Sequence, residues 1–147
     1  MPTSRSSIPG VAGRTVVIVC VLLTIALIHM VRVGSYLEGR LFSLYYSYFS
    51  DIVVPFGFYF LLCLNEASIR MLRDWRVKAA FVFAAASLTE VMQFFGVPVL
   101  GATFDPLDFA MFGVGVFLAV IVDRLVLPRV FPFWDLQRAP LIQERKE

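Results

Sequence analysis

Three polar side chains stand inside apolar runs where a lipid-facing helix would carry none. Glu90 and Gln93 share one run, and Asp108 lies just inside the next. A carboxylate at the centre of a membrane span costs about 2.5–3.5 kcal/mol on insertion scales, so each needs a compensating interaction. Carboxylates beside an amide can bind a ligand that carries hydrogen-bond donors or positive charge, or take part in moving a proton. Phe83, Ser87, Glu90 and Gln93 follow helical spacing, so on a helix they share one face, with Glu90 and Gln93 three positions apart. The plainer reading of Glu90 is a buried carboxylate that hydrogen-bonds two helices together.

The elements that must position these groups are membrane helices. The chain has 147 residues, 59% of them hydrophobic and only 16% charged, with a mean hydropathy of +0.80. A compact soluble domain needs a polar shell that this composition cannot supply. Four apolar runs, 15–33, 45–64, 77–96 and 106–127, approach the roughly 20 residues that cross a hydrocarbon core of about 30 Å. The expected fold is an all-α membrane protein, a four-transmembrane-helix bundle over 15–127. It lies between a cytoplasmic tail, 1–14, and a cytoplasmic interfacial tail, 128–147. The first run ends without a small-x-small cleavage pattern and reads as an uncleaved signal anchor. Pro55 should kink the second span or mark its first turns, and Pro128 should end the fourth.

Basic residues orient the bundle. Arg5, Arg14, Arg70, Arg73, Arg76, Lys78, Arg124, Arg129, Arg138, Arg145 and Lys146 fall on one side, and only Arg32 and Arg40 on the other. The positive-inside rule places both termini in the cytoplasm. Trp75 and the group Phe131, Phe133 and Trp134 then fall at the inner interface, where amphipathic aromatics anchor helices. Gly115 and Ala119 form a small-xxx-small pair on span four, and Ala84, Ala85 and Ala86 offer small surfaces on span three. Such residues let backbones approach closely, although each is also an ordinary membrane residue.

With spans two and four running inward and span three outward, scattered polar residues converge near the outer face. Asp51, Glu90, Gln93, Asp105, Asp108 and Arg40 form the expected ligand-binding set, with His29 and Arg32 approaching the same layer. Capping offers another account of some of them. Asp105 precedes Pro106, so Asp105 can be an N-cap with Asp108 in the first turn, and Asp51 can cap after Ser50. If all the carboxylates are charged, Arg32, Arg40, a bound cation or a cationic ligand must relieve their repulsion. The inner halves of the spans read as apolar apart from Thr24 and Asp123, which argues against proton or ion movement. Cys20 and Cys63 read as unpaired thiols.

The string Thr89-Glu90-Val91-Met92-Gln93, followed by Asp105-x-x-Asp108 and then Gly115, resembles the VanZ-like family of small bacterial membrane proteins. In that family a Glu-x-x-Gln pair on one span precedes an Asp-bearing loop and a glycine-containing span. Phe112 stands where the family usually has asparagine, and the loop 101–103 lacks the usual arginine, so the chain looks like a divergent relative. The family takes its name from an accessory protein in low-level teicoplanin resistance. The resemblance implies a role at the cell envelope, in the bacterial cytoplasmic (inner) membrane, and no particular reaction.

Three functions compete. The first is a binding or accessory role, in which an outward pocket holds a polar head group or peptide-like envelope ligand. The second is an intramembrane hydrolase with paired carboxylates, which could use a magnesium ion held by Asp51, Glu90 and Asp108. The single histidine leaves no His-rich zinc site, no HExxH motif occurs, and no Gly-rich phosphate loop precedes a helix, so nothing marks an enzyme. No cofactor and no dedicated metal site are expected. The third is a structural subunit packing against a larger membrane protein complex, which short loops and 22 aromatic residues suit. Membrane lipids are the other expected partners, and nucleic acid is not one.

Overall fold

The computed structural model of the chain describes residues 9–31, 36–97 and 104–134. The described residues are helical, with no strands. They form α1 (Pro9–Met30), α2 (Gly39–Cys63), a 3-10 turn (Arg70–Arg73), α3 (Trp75–Phe94), α4 (Pro106–Ile121), a π-helical turn (Val122–Val126) and α5 (Leu127–Val130). Four segments are long and apolar enough to cross a membrane: Gly10–Met30, Gly39–Cys63, Trp75–Phe94 and Pro106–Val130. The protein is a multi-pass, four-helix membrane bundle. Large apolar side chains such as Leu23, Leu27, Leu61, Phe81 and Phe117 face outward, as lipid as solvent allows.

Helix boundaries differ from the sequence expectation where the helices continue through charge or proline. α1 begins at Pro9, inside the expected tail, because Arg14 is buried and neutralised within the bundle. α2 begins at Gly39, whose φ of +59° is a conformation that suits glycine. Asp51 therefore lies mid-helix and caps nothing, and Pro55 is buried well inside α2. Pro128 does not end the fourth span. The helix first widens into the π-turn, where the Leu127 N–H donates to the Val122 carbonyl, and then continues through Pro128 to Val130.

Antiparallel connections give the bundle two ends. The base holds the start of α1, the end of α2, the start of α3 and the end of α5. The crown holds the opposite helix ends. α4 packs on both α2 and α3, and α1 leans on α2. The α2–α4 approach depends on Gly115, where a Cβ would overlap the Ile52 carbonyl oxygen and sit 3.1 Å from Ile52 Cα. Ala119, one turn on, is fully buried, so the small pair on span four does bring backbones together. The alanines of span three do less: Ala84 is exposed, and Ala85 and Ala86 are half-buried. Tyr59, Phe60, Val82, Val116 and Ala119 form the apolar centre between base and crown.

Candidate functional site

Two polar clusters occupy the two ends. At the crown, Glu90 is 1% exposed, and its Oε1 accepts the backbone N–H of Asp105 at 2.6 Å. Asp105 is the N-cap of α4: its Oδ1 accepts the Leu107 N–H at 2.9 Å, Pro106 follows at the first helical position, and Asp108 falls in the first turn. Glu90 thus ties the α3 face to the residue that starts α4. Asp51 and Asp108, both half-buried, lie within electrostatic reach of each other, of Glu90 and of Asp105.

Asp51 reaches this layer for a geometric reason. Cys63 and Lys78 touch at the base, and Asp51 and Glu90 each stand twelve residues above that contact. At 1.5 Å per residue both are about 18 Å up the bundle. Pro55, one turn below Asp51, has no N–H to offer the Asp51 carbonyl. Gln93 is half-buried one turn beyond Glu90 on α3.

The remaining expected members lie elsewhere. Arg40 is exposed in the first turn of α2 and forms no ion pair with the cluster. His29 is exposed, with Nδ1 3.2 Å from the Ile25 carbonyl and its ring against Phe49. Arg32 and the loop 101–103 lie outside the described residues. All three ion pairs among the described residues belong to Arg14 and Lys78, so no described cation pairs with Asp51, Glu90, Asp105 or Asp108. One further polar atom is unsettled. The Ser87 hydroxyl oxygen, on the same α3 face one turn below Glu90, is buried without a hydrogen-bond partner among the described residues, a state that costs about 1–3 kcal/mol.

The base carries a second cluster, and this one corrects the expectation of apolar inner halves. Lys78 is 1% exposed. Its Nζ donates to Glu66 Oε1, to Asp123 Oδ2 at 3.0 Å and to Cys63 Sγ at 3.2 Å, and it lies over the Tyr59 ring. Arg14 Nη2 pairs with Glu66 Oε2 at 2.5 Å. Asp123 also accepts the Tyr59 hydroxyl at 2.7 Å and the Trp134 indole N–H at 2.8 Å. Trp134 is therefore buried under the Arg14 guanidinium, 4.6 Å from its ring centre, and is not an interfacial anchor.

Two cations and two carboxylates cancel, and the network links α1, α2, α3, the π-turn and the segment after α5. Cys63, Glu66 and Asp123 bring three potential metal-ligand atoms within 4.8 Å of one another. Lys78 Nζ bonds to all three residues and supplies the positive charge they need. This network is a fastener.

The network is not legible in the local sequence: Arg14 and Lys78 read as orienting charges, and Glu66 follows an apparent span end. The available signal was the co-location of Arg14, Glu66, Lys78 and Asp123 at one level once the spans alternate. Both cysteines are free thiols: Cys63 is buried in the network and Cys20 is exposed on α1. Comparison with family models, with curated proteins and with solved structures returns no match.

Proposed function

We propose that this protein is a VanZ-like accessory or binding protein of the bacterial cytoplasmic membrane, with its base on the cytoplasmic side and its acidic crown facing outward. The observation that carries this reading is the gathering of Asp51, Glu90, Asp105 and Asp108 from α2, α3 and the start of α4, with no paired cation among the described residues. Like charges held together in a poorly solvated layer favour a cationic occupant or a shared proton. Gln93 and the Ser87 hydroxyl on the same helix face suit a ligand with donors and acceptors as well as charge. An amine-bearing envelope ligand has that chemistry. The neutral, internally bonded base network is the weaker candidate, since each of its charges already has a partner.

Asp51→Asn with Asp108→Asn tests the reading without touching the Glu90–Asp105 hydrogen bond. In cells that depend on the protein for tolerance to a glycopeptide such as teicoplanin, the double variant should accumulate normally and lose the tolerance. Unchanged tolerance at normal protein levels would overturn a ligand role for the crown. Loss of the protein itself would assign these carboxylates to folding.

A further inference from the structure

The connection from α2 to α3 brings Arg70, Arg73 and Arg76 together within seven residues. Arg124 comes to the same place from the π-turn. With Asp74 and Trp75 these residues line an open cleft of about 430 Å³ at the base, within the roughly 300–1,000 Å³ range of small-molecule sites. None of the four guanidiniums pairs with a carboxylate among the described residues. The Asp74 side chain is committed elsewhere, accepting the Arg76 backbone N–H at 2.9 Å as the N-cap of α3. The cleft thus holds four positive charges against one negative.

The cleft is also held in shape. Arg73 Nε donates to the Glu66 carbonyl at 3.2 Å, and the Glu66 side chain is locked into the buried network by Arg14 and Lys78. In the π-turn, Asp123 turns inward to Lys78, while its neighbour Arg124 is exposed and lines the cleft. One short turn therefore serves both the fastener and the cleft. The Arg76 guanidinium lies over the Trp75 ring at 5.6 Å.

Guanidinium groups gathered without counterions favour an anion with several oxygens, and phosphate geometry suits the planar fork of arginine. Membrane position points to the source of that phosphate. The cleft opens at the ends of two spans, Trp75 is half-buried in its wall, and Ile69 and Met71 of the same connection are exposed. Apolar and amphipathic side chains beside a basic pocket match a lipid with its head group in the pocket and its chains alongside. We infer that the cleft is a binding site for the phosphate of an anionic phospholipid. The site is separate from the acidic crown and does not depend on what the crown binds.

The test uses the purified full-length chain in mixed micelles, where insertion direction plays no part, with native mass spectrometry to count retained lipids. The probes are phosphatidylglycerol, phosphatidylcholine and inorganic phosphate. Wild type should retain phosphatidylglycerol in preference to phosphatidylcholine. The Arg70 and Arg124 side chains make no hydrogen bond or ion pair among the described residues, so R70Q/R124Q should fold. It should weaken phosphatidylglycerol binding about 30-fold, and R124Q alone about five-fold, at the affinity expected per basic residue near a membrane surface. The charge-preserving pair R70K/R124K should recover the part of the loss that is due to charge and not the part due to the guanidinium fork. R129Q, at the same end but outside the cleft lining, should bind as wild type does.

Equal retention of the two lipids by wild type would overturn the proposal, as would an R129Q loss as large as that of R124Q, which would indicate diffuse charge. Inorganic phosphate that displaces phosphatidylglycerol at equal concentration would make a soluble phosphate the ligand and overturn the lipid assignment.

Discussion

Lys78 and Glu90 show how two buried ionisable side chains in one helix are accommodated differently. The Lys78 ammonium has two carboxylates, a thiol and a tyrosine ring around it, so its charge is compensated locally. Removing one member of such a buried set leaves the others uncompensated, at a cost of about 3–5 kcal/mol. Lys78→Met should therefore lower stability by about that amount in a denaturant titration of the detergent-solubilised protein. Tyr59→Phe removes a single hydrogen bond to a carboxylate and should cost about 1.5–3 kcal/mol. A Lys78→Met variant as stable as wild type would show that the network is not what fastens the base. Glu90 has a backbone N–H as its hydrogen-bond donor and carboxylates as neighbours. Glu90→Gln keeps an acceptor for Asp105 and should stay folded, whereas Glu90→Leu strands that N–H and should cost about 1–3 kcal/mol. Equal stability of the two variants in the same titration would remove the tether role.

At the scale of elements, the decisive contact is that of α4 with α2. Gly115 lies against the Ile52 backbone, and a backbone cannot rotate away as a side chain can. Gly115→Ala should therefore destabilise the bundle by about 1–3 kcal/mol, the usual cost of overpacking a tight site. Gly113, two residues earlier, meets only Phe83 Cε2 at 3.8 Å, an ordinary contact. Gly113→Ala should be neutral or stabilise by up to about 1 kcal/mol through helix propensity. Thermal unfolding of the pair in one detergent checks both, and a Gly115→Ala variant no less stable than Gly113→Ala would contradict the close-packing account. The π-turn matters at this scale too, because it carries the fourth span past Pro128 and turns Asp123 toward Lys78.

Across the whole molecule, polar ends enclose an apolar middle. Among the described residues, the apolar Phe60, Val82, Val116 and Ala119 lie between the acidic crown and the neutral base network. The ends also differ in net charge, since the arginine cleft adds to the base and the carboxylates to the crown. That asymmetry underlies the proposed orientation. A reporter active only in the cytoplasm should work when fused after Glu147, and one active only outside should work when inserted in the α1–α2 connection. The opposite pattern would invert the orientation and turn the crown toward the cytoplasm.

The sequence alone determined the number of spans, because a run of about 20 apolar residues has few alternatives to a membrane helix. It also located the cap at Asp105 and the polar face of α3, since both are encoded over one or two turns. It did not reveal where helices pass through charge and proline. Arg14 extends α1 and Pro128 lies within α5 because their surroundings, not their own propensities, decide the matter. Tertiary structure alone joined Arg14, Glu66, Lys78, Asp123, Tyr59 and Trp134, which lie far apart along the chain. Read singly, Arg14 and Lys78 look like orienting charges, Trp134 like an interfacial anchor and Asp123 like an isolated polar residue. Compensation of buried charge is a property of pairs, and pairs distant in sequence meet only when the helices pack.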